Sequence, residues 1–289
     1  MDNANRWELP FGQPAELELH SEWGTLALVP VEPGQSPRLE LSAESSERIA
    51  VHVEKVGETV RVALDPKPAR NWFGSWEHRA TVYVPRDVHA HIQTGAGSVS
   101  VRDLERCELG IKANAGKIDL VKVYGLVHLS ADAGSVTGRD VGGYFDVEAH
   151  AGSIRLQISD LQPGEHRIRA SMGSVRVELA RGLDVSVETR TSLGSVRNSF
   201  PSRQSAAAKL LLSTEMGSVR VEEGPPARSD GRSPASYAPF RRERAEAPPP
   251  TPERPPREDP ELERILKMVE AGALSAHDAD ELLRAMGRV

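Results

Sequence analysis

The sequence predicts an all-β fold: a solenoid-like stack of β-repeats with an N-terminal β-sheet cap, continued by a disordered Pro-rich linker and a C-terminal helical hairpin. Three observations carry this. The phrase Ala96-Gly97-Ser98-Val99 returns with its glycine at Gly116, Gly134, Gly152, Gly173, Gly194 and Gly217, at intervals of 18 to 23 residues, and a fixed-phase recurrence near twenty residues is how stacked repeats show themselves. Around each glycine apolar and polar residues alternate, the period of a strand with one buried face. Aromatics make up only 4% of the chain, which suits a core of stacked Val, Ile, Leu and Ala.

The unit follows from its columns. Two and four residues after the glycine stand Val99 and Val101, Ile118 and Leu120, Ile154 and Leu156, Val175 and Val177, Val219 and Val221. Five before it stand Ile92, Ile111, Leu129, Val147, Ile168, Thr189 and Leu212, and three before it only Ala or Thr. Each unit therefore reads as strand, tight Gly-Ser corner, strand. The glycine is expected to supply a backbone geometry other residues resist, with the preceding Ala, Leu or Met tucked under the corner. A unit this short cannot bury its own apolar face, so its core must come from its neighbours.

Residues 1–88 are expected to form the N-terminal β-sheet part of the domain. Leu17 and Leu19 lead to Gly24, and Leu26 and Leu28 follow, an outlying eighth copy of the unit. Alternating strands at Arg38 to Leu41, Ile49 to Val53, Thr59 to Leu64 and Ala80 to Val84 should shield the first unit of the stack. Between the last two, Trp72, Phe73 and Trp76 crowd into one turn. They read either as a hairpin tip folded over the sheet or as an exposed contact for a partner or lipid. The repeat array then runs through 89–222.

From 223 to 259 the composition changes: eleven of the 21 prolines fall between Pro225 and Pro260, among Arg, Glu, Ser and Ala. Proline removes donors and fixed charge resists collapse, which predicts a disordered linker. Order is expected to return over 260–289. Asp259 caps a helix with Pro260 in its first position, Leu262, Ile265, Leu266 and Val269 share one face, and Gly272 ends it. Ser275 with Asp278 resembles a capping box, and Ala279, Leu282, Leu283 and Met286 line a second face. A hairpin this small is marginal alone, so it should pair with another copy or with a protein partner.

These residues suggest a family. Thr81-Val82-Tyr83-Val84-Pro85-Arg86-Asp87, a strand, then Thr94-Gly95-Ala96-Gly97-Ser98-Val99-Ser100-Val101 resembles the bacterial putative-adhesin repeat domain, also called the toastrack domain, over about residues 15 to 222. The tail from Ile265 to Ser275 is similar to short helical modules that such proteins carry at one end. The resemblance implies an all-β repeat domain tied to cell-envelope stress or surface functions, with no catalytic residues to transfer. Many such proteins are exported or membrane-linked, whereas this sequence shows neither a leader nor eighteen consecutive apolar residues. The expected location is the cytoplasm, with peripheral contact to a membrane as the alternative.

The sharpest surface feature lies three residues after the glycine, where Arg155, Arg176, Arg197 and Arg220 recur on the face opposite the buried valines. Stacked at strand spacing, they would form a stripe for anionic lipid or polysaccharide, unless Glu178 and Glu222, two residues beyond Arg176 and Arg220, neutralise it diagonally. A net charge of -6 argues against general nucleic-acid binding. No Cys or carboxylate completes a metal site around His89, His91 and His128. Cys107 reads as a partly buried filler, and Gly95-Ala96-Gly97 lacks the following helix that a dinucleotide site needs. No cofactor is expected. The chain thus reads as a non-catalytic scaffold or adaptor, possessing a β-repeat body and a tethered interaction module. The alternatives are a polysaccharide-active β-helical enzyme, for which Asp103 and Asp140 share a phase, and a self-assembling filament if the last unit, ending at Val221, lies uncovered.

Overall fold

The structure, a computed structural model, describes residues 5–67 and 78–226. All of these residues lie within one compact unit, Met1–Tyr237. Of the linker expected over 223–259, residues 227 to 259 lie outside the described residues, as do the helical hairpin with Leu262, Ile265, Leu266, Val269, Leu282 and Leu283 and the aromatic turn with Trp72, Phe73 and Trp76.

The described chain is nearly all strand: β1 (Arg6–Glu8), β2 (Glu16–Pro30), β3 (Arg38–Leu41), a single-turn helix α1 (Ala43–Ser46), β4 (Ile49–Val56), β5 (Thr59–Pro66), β6 (Arg79–Val84), β7 (His89–Leu161), β8 (Gly164–Arg181), β9 (Val185–Asn198) and β10 (Ala208–Pro226). All ten strands belong to one sheet. The four expected N-terminal strands are present as β3, β4, β5 and β6. The 73-residue β7 holds four consecutive repeat units, whose backbone bends at Gly97, Gly116, Gly134 and Gly152 without leaving extended pairing. β10 runs to Pro226.

Parallel pairing sets the units one upon another with glycine on glycine: Gly24 pairs with Gly97, Gly152 with Gly173, Gly173 with Gly217, and Gly217 with Gly194. The Gly24 unit is therefore not an outlier but lies directly on the first unit of β7. Its other edge is shared, with Glu16–Ser21 pairing with β5 and Thr25–Pro30 with β6. β5 then pairs antiparallel with β4, and β6 with β3, which in turn holds β1. Strands β3 to β6, with β1 on β3, thus close this end of the stack, as a first unit requires.

At the other end the order departs from the sequence. β10 lies between β8 and β9, so the unit of Gly194 is last and that of Gly217 is covered on both edges. The physical reason is composition. β10 brings Leu212 and Val221 to columns where β9 carries Thr189 and Asn198, and the more polar unit takes the position with a neighbour on one side only.

The inward columns form one hydrophobic cluster running through the described units. Ile92, Val99, Val101, Ile118, Leu120, Val147, Ile154, Val175, Val219 and Val221 are each at most 1% exposed. At the corner, φ of Gly152 is +146°, and a Cβ there would stand 1.6 Å from the carbonyl oxygen of Gly134. Both conformation and close approach of the next unit therefore demand glycine. The residue before it does not tuck under: Trp23, Met172, Met216 and Leu193 are 48, 51, 47 and 66% exposed. The corner starts one residue earlier than strict alternation implies, so the two residues ahead of the glycine both turn outward, as at Asn114-Ala115 and Asp132-Ala133.

Candidate functional site

The stack brings the predicted arginines together. Arg155 pairs with Arg176, Arg176 with Arg220, and Arg220 with Arg197, one strand spacing of about 4.8 Å per step. The sequence order of the last two is exchanged because β10 precedes β9 in the stack. Beside them, two residues nearer the corner, runs a matching column of Ser153, Ser174, Ser218 and Ser195. This outer face is therefore a two-column lattice of hydroxyls and guanidiniums.

The diagonal carboxylates neutralise the middle of that lattice but not its ends. Arg176 Nη2 lies 3.3 Å from Glu178 and 2.8 Å from Glu222, and Arg220 also pairs with Glu222. Hydrogen bonding from Arg220, with the charges of Arg220 and Arg176 adding to it, holds the Glu222 carboxyl below its ordinary range, so it stays ionised as the counter-charge. Glu178 is further held by the Gln157 amide at 3.0 Å. Arg155 and Arg197, at the two ends, have no ion-pair partner among the described residues.

A second surface feature follows the glycine corners. A groove of about 680 Å³ runs over Gly24, Gly97, Gly116 and Gly134, walled by Trp23 and Ala96 on one side and by Thr25, Ser98, Lys117 and Ser135 on the other. Its floor is backbone because no glycine there can carry a side chain. A second hollow, about 510 Å³, is lined by Arg102, Lys122, Arg139, Asp140 and Glu178. Several of its charges are engaged by residues beyond its lining: Lys122 lies 3.9 Å from Asp103, Arg139 3.5 Å from Asp119, and Asp140 accepts from the Tyr124 hydroxyl at 2.8 Å.

Asp103 and Asp140 do share a column, but as corner residues with φ of +54°, each next to Lys122, itself at +52°. This is a turn role that short polar side chains tolerate, and it does not set two carboxylates across a substrate bond. Ser21 Oγ and His78 Nε2 are 3.2 Å apart, yet both residues are buried and the serine hydroxyl donates to the Trp23 carbonyl at 2.8 Å. That serine is committed to the corner beneath Gly24 rather than poised as a nucleophile. Among the described residues no cluster of His, Cys, Asp and Glu could hold a metal ion.

Cys107 is 2% exposed, and desolvation pushes its thiol up to about 12. Thiol-directed alkylation should therefore leave the native protein unlabelled and modify it once unfolded, since the thiolate is the reactive form. Mass spectrometry before and after denaturation checks this, and native labelling would contradict the burial.

The sequence reading missed His166. It stands in a column otherwise filled by Phe145 and Leu210 and is fully buried. A histidine amid apolar neighbours at a fixed phase was the available signal.

No family model and no curated protein matches the chain. Among solved structures it is similar to a putative cell adhesion protein from Clostridium sporogenes, at 11% identity and a TM-score of 0.34, covering 72% of this chain and 92% of that one. It is also similar to putative adhesins from Bacteroides fragilis, at 12% identity, TM-score 0.33 and coverage of 75% and 94%, and from Parabacteroides merdae, at 11%, 0.34, 75% and 94%.

Proposed function

We propose that this chain is a non-catalytic β-solenoid scaffold whose arginine-serine face binds a linear anionic polymer of the bacterial envelope. The observation that carries the reading is the imbalance of charge along one ladder. Four arginines in successive units face two glutamates, and the unpaired cations sit at both ends, where they span about three strand spacings, roughly 14 Å. A ligand with anionic groups at regular intervals can meet both ends at once without displacing the internal pairs. A rigid stack favours this, because its side chains are already in register and less ordering entropy is lost on binding.

The Pro-rich stretch and helical hairpin expected from sequence would add a second contact on a tether, which makes that contact effectively intramolecular. An adaptor in envelope-stress signalling combines these parts and agrees with the resemblance carried by Thr81–Val101 and by the tail.

The test is binding of polyuronate and, separately, of phosphatidylglycerol vesicles to wild type and to the Arg155→Glu/Arg197→Glu double variant at low and moderate salt. Polyuronate affinity should fall about tenfold or more in the variant and weaken in wild type as salt shortens the screening length. Vesicle binding that falls in its place would assign the face to lipid. Binding of both ligands that ignores the substitutions would remove the face from the function.

A further inference from the structure

Six large apolar side chains are conspicuously exposed among the described residues, and four of them, Met172, Met216, Leu193 and Val196, belong to the last three units of the stack. The last unit, β9, is bonded to β10 along one edge. On its outer edge the following loop covers only the beginning, where Arg203 N–H donates to the Val185 carbonyl and Val187 N–H donates to Ser202 Oγ. Beyond Val187 that edge is unpaired among the described residues. An open edge beside exposed apolar side chains is a template for another strand.

We propose that this edge takes the same edge of a second copy of the chain, two stacks meeting end to end about a two-fold axis. A two-fold reverses strand direction, so β9 pairs antiparallel with itself, and only registers that keep inward residues opposite inward residues preserve the core. The outward residues choose among those registers. Glu188 and Arg190 are exposed, and neither has an ion-pair partner among the described residues. Pairing centred on Thr189 sets Glu188 of each copy opposite Arg190 of the other, giving two cross-strand ion pairs. Centring on Glu188 or on Arg190 would set like charges face to face, which is unfavourable.

The geometry also limits the assembly. At the opposite end β2 is already covered by β5 and β6, and these by β4 and β3. Among the described residues the free parallel-type edge therefore exists at one end only, and an isologous contact closes at two copies instead of propagating into a filament. The unit ending at Val221, whose exposure would have favoured a filament, is itself covered by β9.

Sedimentation velocity on the full chain over a wide concentration range should show a monomer–dimer equilibrium. Glu188→Arg and Arg190→Glu, each at an exposed position that leaves the fold intact, should each raise Kd about tenfold or more. The Glu188→Arg/Arg190→Glu double variant, which restores opposite charges in the same register, should recover the dimer. Hydrogen exchange at Thr189–Ser192 should slow with concentration in wild type and not in the single variants. A chain that stays monomeric, or a dimer indifferent to the single reversals and without concentration-dependent protection of β9, overturns the proposal.

Discussion

Replacing Gly152 with alanine is expected to lower stability by about 4 kcal/mol, the sum of a strained backbone and an overpacked contact. The residue holds φ at +146°, and the added methyl would fall 1.6 Å from the Gly134 carbonyl oxygen and 2.7 Å from its carbon. Relief requires two units to part, and because Gly134 and Gly173 lie on either side, parting on one edge disturbs pairing on the other. Two further substitutions separate the causes. Gly182 also has a positive φ, +89°, but nothing within 4 Å of its added Cβ, so Gly182→Ala reports backbone strain alone, about 1 kcal/mol. Gly194→Ala meets the Gly217 carbonyl oxygen at 1.6 Å, but in the monomer β9 has a strand neighbour on one edge only among the described residues and can swing away, so its cost, measured at concentrations below dimer formation, should be intermediate. Urea unfolding of the three variants gives the ranking. Gly152→Ala within about 1 kcal/mol of Gly182→Ala would mean that the glycine row is not a packing requirement.

That row was legible in the sequence because one constraint, a backbone floor that admits no side chain, is repeated in every unit. The same holds for the inward columns, since valine or isoleucine at a fixed phase has one way to be buried when units stack in register. The exchange of β9 and β10 was not legible from spacing, because the repeats on either side have the same grammar. It was written only in Thr189 and Asn198, two polar residues in apolar columns, which mark an end unit once the choice is posed. The outward turn of Met172, Met216 and Leu193 was hidden for a different reason: strand alternation fails within a corner, and the period that places residues elsewhere places these on the wrong side. For the arginine stripe, sequence supplied the residues and the counter-charges Glu178 and Glu222. Which of the four keep free charge depends on stack order, and so needed the structure.

His166 carries the second large effect, and it should show itself as a dependence on pH. Its ring sits at 0% exposure beside Tyr144 and Phe145, with Nδ1 accepting the Phe145 N–H at 3.2 Å and Nε2 2.7 Å from the Gln162 carbonyl oxygen. A backbone N–H can only donate, so Nδ1 must be bare and Nε2 must carry the proton. Burial lowers its pKa below the ordinary histidine value of 6.5, against smaller opposing contributions from the Gln162 bond and the Asp160 charge. The sign follows: above 6.5 neither the folded nor the unfolded chain protonates this ring, and the full contribution to stability is present. As pH falls through 6.5 the unfolded chain takes up a proton that the folded one resists, so stability is lost progressively toward the lower folded pKa. His78, also lowered by desolvation, acts in the same direction. Asp160 is raised by burial and therefore opposes both once acidification reaches its range. His166→Leu should cost on the order of 3 kcal/mol at neutral pH, because the Phe145 N–H and the Gln162 carbonyl lose their partner in a dry interior. His166→Gln offers an acceptor and a donor but no titration, so it should recover part of that loss and flatten the decline of Tm below 6.5, leaving the share due to His78. If the slope of Tm against pH is the same in wild type and His166→Gln, the buried ring is not what couples this fold to protons.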